Sequence, residues 1–129
     1  MADYGDTVLD AQLNALAAGD ELHICSAEPA DFAGVAAVTL GKKTAPAFSA
    51  AADSVATDST TNGRERSIQV FSDGAATADG TVTHYALVNA AASDLLATVG
   101  LPTSKTVNNG DTFSIDAPIT FIAREPTVV

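Results

Sequence analysis

The segment that decides the fold is Phe113-Ser-Ile-Asp-Ala-Pro-Ile-Thr-Phe-Ile-Ala123, whose odd-numbered positions are all apolar. Successive side chains of a β-strand point to opposite faces, so a period of two over this length indicates β-structure with one core face. Pro118 cannot donate a hydrogen bond to a ladder and therefore belongs at a bend or an edge. The segment predicts either a pair of strands or one bent strand.

Further strands are predicted on the N-terminal side of this segment. Asn109-Gly110 predicts a two-residue hairpin turn, because a type I′ turn needs a positive φ at both positions. No helical segments alternate with the strands, which disfavours parallel winding. The sequence therefore predicts a mainly β fold, an antiparallel β-sandwich or barrel of about seven to nine strands with one N-terminal α-helix. The additional strands are expected at residues 21–26, around Val38 and Leu40, and at 66–72, 82–89 and 95–99.

The N-terminal helix is predicted at about residues 7–18. Leu9, Leu13 and Leu16 recur at the spacing of one apolar helix face. We expect Asp6 or Thr7 to cap the helix and Gly19 to end it in a left-handed conformation.

The chain has 129 residues, the length of one domain, so residues 1–129 are predicted to form a single β-rich domain. Within it, the stretch 49–63 contains Val55 as its one large apolar residue, among Ala, Ser, Thr and Asp. Such a stretch buries little surface, and we expect a flexible loop or arm there.

The charge balance is strongly acidic. Sixteen Asp and Glu against six Lys and Arg give a net charge of -10. Nucleic acids and anionic lipids both favour cationic surfaces, so the composition argues against a nucleic-acid or membrane partner. A hydrophobic content of 47% excludes bulk disorder. No apolar run approaches the roughly 20 residues that span a bilayer, and the start lacks the pattern of a signal peptide.

The residues that most often carry chemistry form no recognisable site. His23 and His84 lie in predicted strands without a second His or Cys at metal-ligand spacing, so neither a zinc site nor any other cofactor is expected. Cys25 is the one cysteine and is expected to be a small buried apolar residue. Acidic residues cluster at predicted turns, where Asp commonly bonds the local backbone: Asp20, Glu21, Glu28, Asp31, Asp73 and Asp79. The sequence therefore predicts a protein that is not an enzyme.

Five segments taken together resemble a family of small virion proteins of tailed bacteriophages: Asp6–Leu13, Leu22–Pro29, Thr83–Val88, Leu95–Thr98 and Val107–Ile115. The resemblance implies a capsid decoration (cement) protein that binds the outer surface of the major capsid protein lattice and stabilises the head. It also implies a virion location on the capsid exterior, with assembly in the host cytoplasm. Other copies of the chain are expected as partners, giving a homo-oligomer.

Copies that carry a charge of -10 each must meet through surface of low charge. The terminal segments meet this condition and are the predicted interface, together with the arm at 49–63. The interface residues at the termini are Met1, Ala2, Asp3, Tyr4, Pro126, Thr127, Val128 and Val129.

Three alternatives stay open at the level of sequence. A tail or head–tail joining protein is the nearest, since it shares the acidic β-rich character. A host-receptor or carbohydrate-binding module requires exposed aromatic side chains, for which Tyr4, Phe32 and Tyr85 are the candidates. A hydrolase requires His23 or His84 to line a cleft.

Overall fold

The computed structural model describes residues 6–53 and 63–124. Over these residues it contains two α-helices and nine β-strands, and the strands form two antiparallel sheets. The elements in chain order are α1 (Asp6–Ala17), β1 (Glu21–Cys25), α2 (Phe32–Val38), β2 (Thr39–Thr44), β3 (Ala52–Asp53), β4 (Gly63–Ile68), β5 (Phe71–Ala76), β6 (Gly80–Asn89), β7 (Asp94–Val107), β8 (Thr112–Ile115) and β9 (Ile119–Arg124).

The described residues fall into two compact units, each assembled from separated stretches of chain. Unit 1 comprises residues 6–17, 47–53, 63–69 and 117–124, and unit 2 comprises residues 18–46 and 70–116. In unit 1, strands follow the order β3-β4-β9, and α1 packs against β4 and β9. Leu9 and Leu13 of α1 are buried with Ala123 of β9, so the predicted leucine face is the one that reaches the core.

Unit 2 is a six-stranded sheet in the order β7-β6-β1-β2-β5-β8. Its larger core cluster contains Ile24, Leu40, Ala76, Val82, Val107 and Phe113. The Phe113 ring meets Phe71 edge-on, with centroids 5.6 Å apart, and occupies the space that a Cβ on Gly74 would need. Helix α2 covers a second cluster, in which its Val35 is buried with Cys25, Ala86 and Val88.

The turn at Asn109-Gly110 forms, but the predicted hairpin is wrong. Gly110 has a φ of 94°, whereas Asn109 is not among the residues with positive φ. Strand β7 pairs with β6 and strand β8 pairs with β5, so the turn links the two opposite edges of the six-stranded sheet. A turn signal fixes a local change of direction, and the pairing of the flanking strands is decided by long-range contacts.

Pro118 separates β8 from β9, and these two strands belong to different sheets. The alternating residues 113–123 therefore form parts of two strands that do not pair with each other, so both the predicted strand pair and the predicted bent strand are wrong. The strand expected at 66–72 is likewise divided, because β4 ends at Ile68 and β5 begins at Phe71. The missing N–H of proline explains the first break.

Helix α2 was not expected, since Val38 and Leu40 suggested a strand. Val38 closes the helix and β2 starts at the next residue. Helix α1 agrees with the predicted bounds to within one residue at each end, although Asp6 and Thr7 lie inside it. Gly19 follows the helix without a left-handed φ, which corrects the predicted C-terminal cap.

The predicted fold class is confirmed: the chain is mainly β, its sheets are antiparallel, and it begins with a helix. Most of the predicted arm at 49–63 lies outside the described residues, and the described part of it contains the two-residue strand β3. In the described part of the chain, neither helix has the length and apolar character that crossing a bilayer requires.

Candidate functional site

The two histidines lie on one face of the unit 2 sheet, beside α2. His23 of β1 stands opposite Ala86 of β6, and Cys25 stands opposite His84. The alternation of side chains along a strand places all four on the same face. Ala86 and Cys25 are buried under α2, and the two imidazoles are half-buried. This face brings several titratable side chains together, and it is the candidate site.

His23 bridges a threonine and a glutamate. Its Nδ1 lies 2.8 Å from the Thr39 hydroxyl, and its Nε2 lies 3.0 Å from Glu21 Oε1. A carboxylate only accepts hydrogen bonds, so Nε2 carries the hydrogen that points to Glu21. Thr39 is also the C-terminal cap of α2, so this network joins the end of the helix to β1.

Glu21 is held from its other side by a lysine. Lys42 Nζ donates to Glu21 Oε2 at 2.8 Å. This hydrogen bond lowers the pKa of Glu21 below its ordinary value; burial opposes the shift, and the hydrogen bond from His23 adds to it. Glu21 therefore stays ionised and acts as a fixed acceptor between two donors.

His84 repeats the arrangement at the start of α2. Its Nδ1 lies 2.9 Å from the Thr83 hydroxyl, and its Nε2 lies 3.8 Å from Glu28 Oε2. The second distance exceeds hydrogen-bond range, so Glu28 is a neighbour of Nε2 and not its hydrogen-bond partner. Glu28 also accepts a hydrogen bond from the Thr98 hydroxyl at 3.0 Å, which ties the segment before α2 to β7. His23 thus holds the C-terminal end of α2 through Thr39, whereas His84 lies near Glu28 of the preceding segment without a hydrogen bond to it.

Cys25 is fully buried, as expected from the sequence. Burial raises the pKa of its thiol to about 11. The nucleophile and metal ligand is the thiolate, so this cysteine is held in its unreactive form at neutral pH. No group of three or more metal-ligating side chains occurs within residues 6–53 and 63–124.

The prediction that the acidic residues at turns bond the local backbone holds for Asp31, whereas Asp20 and Asp79 bond backbone N–H groups distant in the sequence. The other three, Glu21, Glu28 and Asp73, bond side chains. Asp31 caps α2 by accepting from Gly34 N at 2.7 Å, and Asp20 accepts from Ala90 N at 2.8 Å. Asp79 accepts from Asn109 N at 2.7 Å. These carboxylates close turns, and they do not converge on a common point.

Arg64 and Arg66 of β4 are structural parts of unit 1. Arg64 binds Asp10 of α1 with two nitrogens, at 2.8 and 3.3 Å. Arg66 donates to Ser49 O at 2.7 Å and to the Asn14 side chain at 2.6 Å. The guanidinium groups fasten α1 and residues 49–51 to β4, and the charge of Arg64 is paired with Asp10.

A small recess lies where the ends of the two edge strands of unit 2 approach each other. It is lined mainly by apolar side chains and has a volume of about 30 Å³, room for about one water molecule. Ligand pockets are commonly ten times larger or more. Its lining includes Leu101, Lys105 and Val107 of β7 and Phe113 and Ser114 of β8.

The predicted interface residues lie outside the described part of the chain: Met1, Ala2, Asp3, Tyr4, Pro126, Thr127, Val128 and Val129. Sequence reasoning missed the pairing of each histidine with a glutamate and a threonine. The contact between Glu21 and His23 could have been predicted, because residues two apart on a strand share a face. The approach of Glu28 to His84 could not, because the folded sheet brings together residues that are distant in the sequence.

Comparison with known families decides the affiliation of this chain. The family model described as podophage GP4 fiber I protein gp80 matches residues 8–120, which is most of the chain. The chain belongs to the gp80 fiber I family. Because it belongs to this family, the chain is a structural protein of a phage virion, as the sequence resemblance implied. No curated protein and no solved structure matches it.

Proposed function

We propose that this gp80-family chain is a non-catalytic subunit of a fibre on a podophage particle. The match of the fiber I family over residues 8–120 carries the proposal. The name of the family favours a fibre over a shell-coating protein, and a fibre attached to the head or to the tail fits it equally. Decoration of the capsid lattice, which the sequence resemblance implied, is the second candidate for the location.

Two features support a role without turnover. Both nitrogens of His23 have hydrogen-bond partners, in Thr39 and Glu21, and Nδ1 of His84 has a partner in Thr83. The Cys25 thiol is buried, and its raised pKa keeps it protonated. These groups stabilise α2 on the sheet instead of presenting reactive atoms.

The charge arrangement supports protein partners over nucleic acid. Lys42 is bound to Glu21, Lys43 to Asp73 and Arg64 to Asp10. Three of the six Lys and Arg in a chain of charge -10 are therefore already paired with a carboxylate within the fold. A phosphate backbone binds through free Lys and Arg, so the proposed partners are other virion proteins and further copies of this chain.

A structural subunit of this kind acts through binding energy alone. A folded protein that binds an assembled lattice, and not its separated subunits, stabilises the lattice by RT ln(1 + [L]/Kd), about 2.7 kcal/mol per site at a hundredfold excess over Kd. The same relation applies whether the partner is the major capsid protein or another component of the fibre.

The aromatic side chains argue against the carbohydrate-binding alternative. Phe113 is buried, and every other aromatic side chain that the structure describes is partly buried: Phe32, Phe48, Phe71, Tyr85 and Phe121. Sugar-binding surfaces commonly stack exposed rings on the ligand, and the described part of the chain presents none. Val8 and Val70 are its exposed large apolar residues.

Imaging of intact podophage particles that contain this chain tests the proposal. We expect density of this fold within fibres that project from the particle, and its loss when the gene is deleted. Density that recurs at every capsomer assigns the chain to capsid decoration. Particles that lack the chain overturn both locations.

A biochemical experiment tests the absence of turnover. We expect the purified chain to leave peptide, ester and glycoside substrates unchanged. An activity that disappears in both His23→Ala and His84→Ala, with the fold retained in circular dichroism, contradicts the structural role.

A further inference from the structure

The hydroxyl of Thr39 takes part in three contacts where α2 ends and β2 begins. Its oxygen lies 2.8 Å from His23 Nδ1, 3.1 Å from Gly41 O and 3.3 Å from Gly41 N. A hydroxyl has one hydrogen to donate and can accept two hydrogen bonds. The Gly41 N–H only donates and the Gly41 carbonyl only accepts. His23 Nδ1 and Gly41 O therefore compete for the single hydrogen of the hydroxyl whenever Nδ1 carries none.

The protonation state of His23 decides this competition. Nε2 carries the hydrogen that points to Glu21 Oε1, at 3.0 Å. In the neutral ring Nδ1 is therefore an acceptor, and it takes the Thr39 hydrogen away from Gly41 O. In the imidazolium both nitrogens carry a hydrogen, so Nδ1 donates to the Thr39 oxygen and the hydroxyl donates to Gly41 O. All the contacts form together only in the imidazolium.

We propose that protonation of His23 turns the Thr39 hydroxyl from Nδ1 to Gly41 O and so fastens the C-terminal end of α2 to β1 and β2 in mildly acidic solution. The proton comes from solvent, since the His23 side chain is 13% exposed. No covalent bond of Thr39 breaks, because its hydroxyl only rotates about the Cβ–Oγ1 bond.

The backbone links this change to the helix. The N–H of Thr39 caps α2 by donating to the carbonyl of Val35, the buried residue of α2. A side chain of Thr39 that is held at two places instead of one therefore resists opening of this helical turn. The inference goes beyond the fibre proposal and applies to the isolated chain.

The titratable groups that face His23 come from each neighbouring element except α2, whose seven residues include none. They are Glu21 and Cys25 of β1, Lys42 of β2, His84 of β6 and Glu28 of the segment before α2. Glu21 is in direct contact, and its pKa is lowered mainly by the hydrogen bond from Lys42, so it remains an ionised acceptor in mild acid.

The other groups leave this arrangement possible. Lys42 repels a proton on His23, but its ammonium group binds the second oxygen of Glu21 at 2.8 Å. The Cys25 thiol is uncharged, because burial raises its pKa to about 11. His84 lies diagonally across the β1–β6 pair, and a charge on it is opposed by Glu28, 3.8 Å away.

Hydrogen exchange of the Thr39 amide tests the proposal. Its protection, the exchange rate in the unfolded chain divided by the rate in the fold, is compared at about pH 5 and about pH 8, which span the ordinary titration range of histidine. We expect protection in the wild type to be about two- to tenfold higher at the lower pH, the factor that corresponds to one hydrogen bond. The amides of α1 serve as the internal reference and should not change.

Variants separate the hydroxyl from other sources of pH dependence. Thr39→Val keeps the branched shape and the capping N–H, and it should abolish the rise in protection. Thr39→Ser keeps the hydroxyl and should retain the rise. His84→Gln is the matched control, since it removes the other imidazole of this face and should also retain it. His23→Gln replaces the ring by an amide that does not titrate, and the rise should disappear.

Nitrogen chemical shifts of the His23 ring provide the second measurement. We expect hydrogen on Nε2 alone at about pH 8 and on both nitrogens at about pH 5. A neutral ring with its hydrogen on Nδ1 overturns the proposal. So does a wild type whose Thr39 protection does not rise in acid, a rise that persists in Thr39→Val or His23→Gln, or a rise that is lost in His84→Gln.

Discussion

Helices α1 and α2 are anchored by opposite means. Helix α1 has 12 residues and inserts Leu9 and Leu13 into the core of unit 1, where Arg64 also binds it through Asp10. Helix α2 has seven residues and buries Val35, and its ends are fixed by polar contacts, with Asp31 at its start and Thr39 at its end. A helix with a broad apolar face depends on burial, and a short helix depends on its caps.

The largest expected loss of stability comes from truncating the buried apolar side chains that hold each helix, and it should differ between the two helices. Leu13→Ala removes a side chain that is 2% exposed and should lower the free energy of unfolding by about 2–5 kcal/mol. Val35→Ala in α2 deletes less buried surface, with an expected cost of about 2 kcal/mol. Urea unfolding of both variants measures the difference. Equal losses would contradict the contrast between the helices.

The ion pair of α1 ranks next. Asp10→Asn keeps the size of the side chain and removes the charge that binds Arg64, so it should lower the free energy of unfolding by about 1 kcal/mol. Asp73→Asn is the control, because Asp73 also binds a cation but its side chain is 70% exposed. The control should be nearly neutral, and the effect of Asp10→Asn should shrink in high salt.

The N-terminal cap of α2 has a comparable or smaller effect that should be local. Asp31→Ala leaves the Gly34 N–H without its acceptor, at an expected cost of about 0.5–2 kcal/mol. Asp31→Asn retains an acceptor and should behave like the wild type. Hydrogen exchange should show faster exchange for the amides of α2 and unchanged exchange for α1; equal acceleration in both helices would refute a local role.

The smallest effect depends on pH. The pKa of Glu21 is lowered from 4.5, mainly by the hydrogen bond from Lys42, so its ionised form stabilises the fold. That contribution is present above pH 4.5 and is lost as the pH falls through the lowered value. Glu21→Gln should therefore destabilise the chain by less than about 1 kcal/mol at pH 7 and have no effect in strong acid. A difference that grows on acidification would contradict this assignment.

Local patterns predicted the parts of the fold that depend on local physics. The leucine spacing located α1 to within a residue, and alternation identified the strand residues of β6, β8 and β9. Which strands pair was not predictable in this way. The residues around Asn109-Gly110 carry a hairpin signal, yet their strands pair with β6 and β5, because register and neighbours depend on contacts distant in sequence.

Helix α2 was missed because it is short: its seven residues, Phe32-Ala-Gly-Val-Ala-Ala-Val38, include three alanines, which favour a helix, but they span only two turns and show no helical period of large apolar side chains. Its start was nevertheless marked by Asp31, a favoured N-terminal cap that follows Pro29. The candidate site was even harder to predict from the sequence. Its histidines were identified, but the partners Thr39 and Glu28 are brought to them only by the pairing of β1 with β2 and the packing of the segment before α2.

The discontinuous composition of unit 1 has a consequence for biosynthesis. Helix α1 is translated before β9, and its leucines are buried against Ala123 of β9, which emerges from the ribosome more than a hundred residues later. The apolar face of the nascent helix therefore stays exposed until β9 has been synthesised. Contacts between residues so distant in sequence form slowly, which slows folding. During that interval the nascent chain is at its most vulnerable to aggregation and proteolysis.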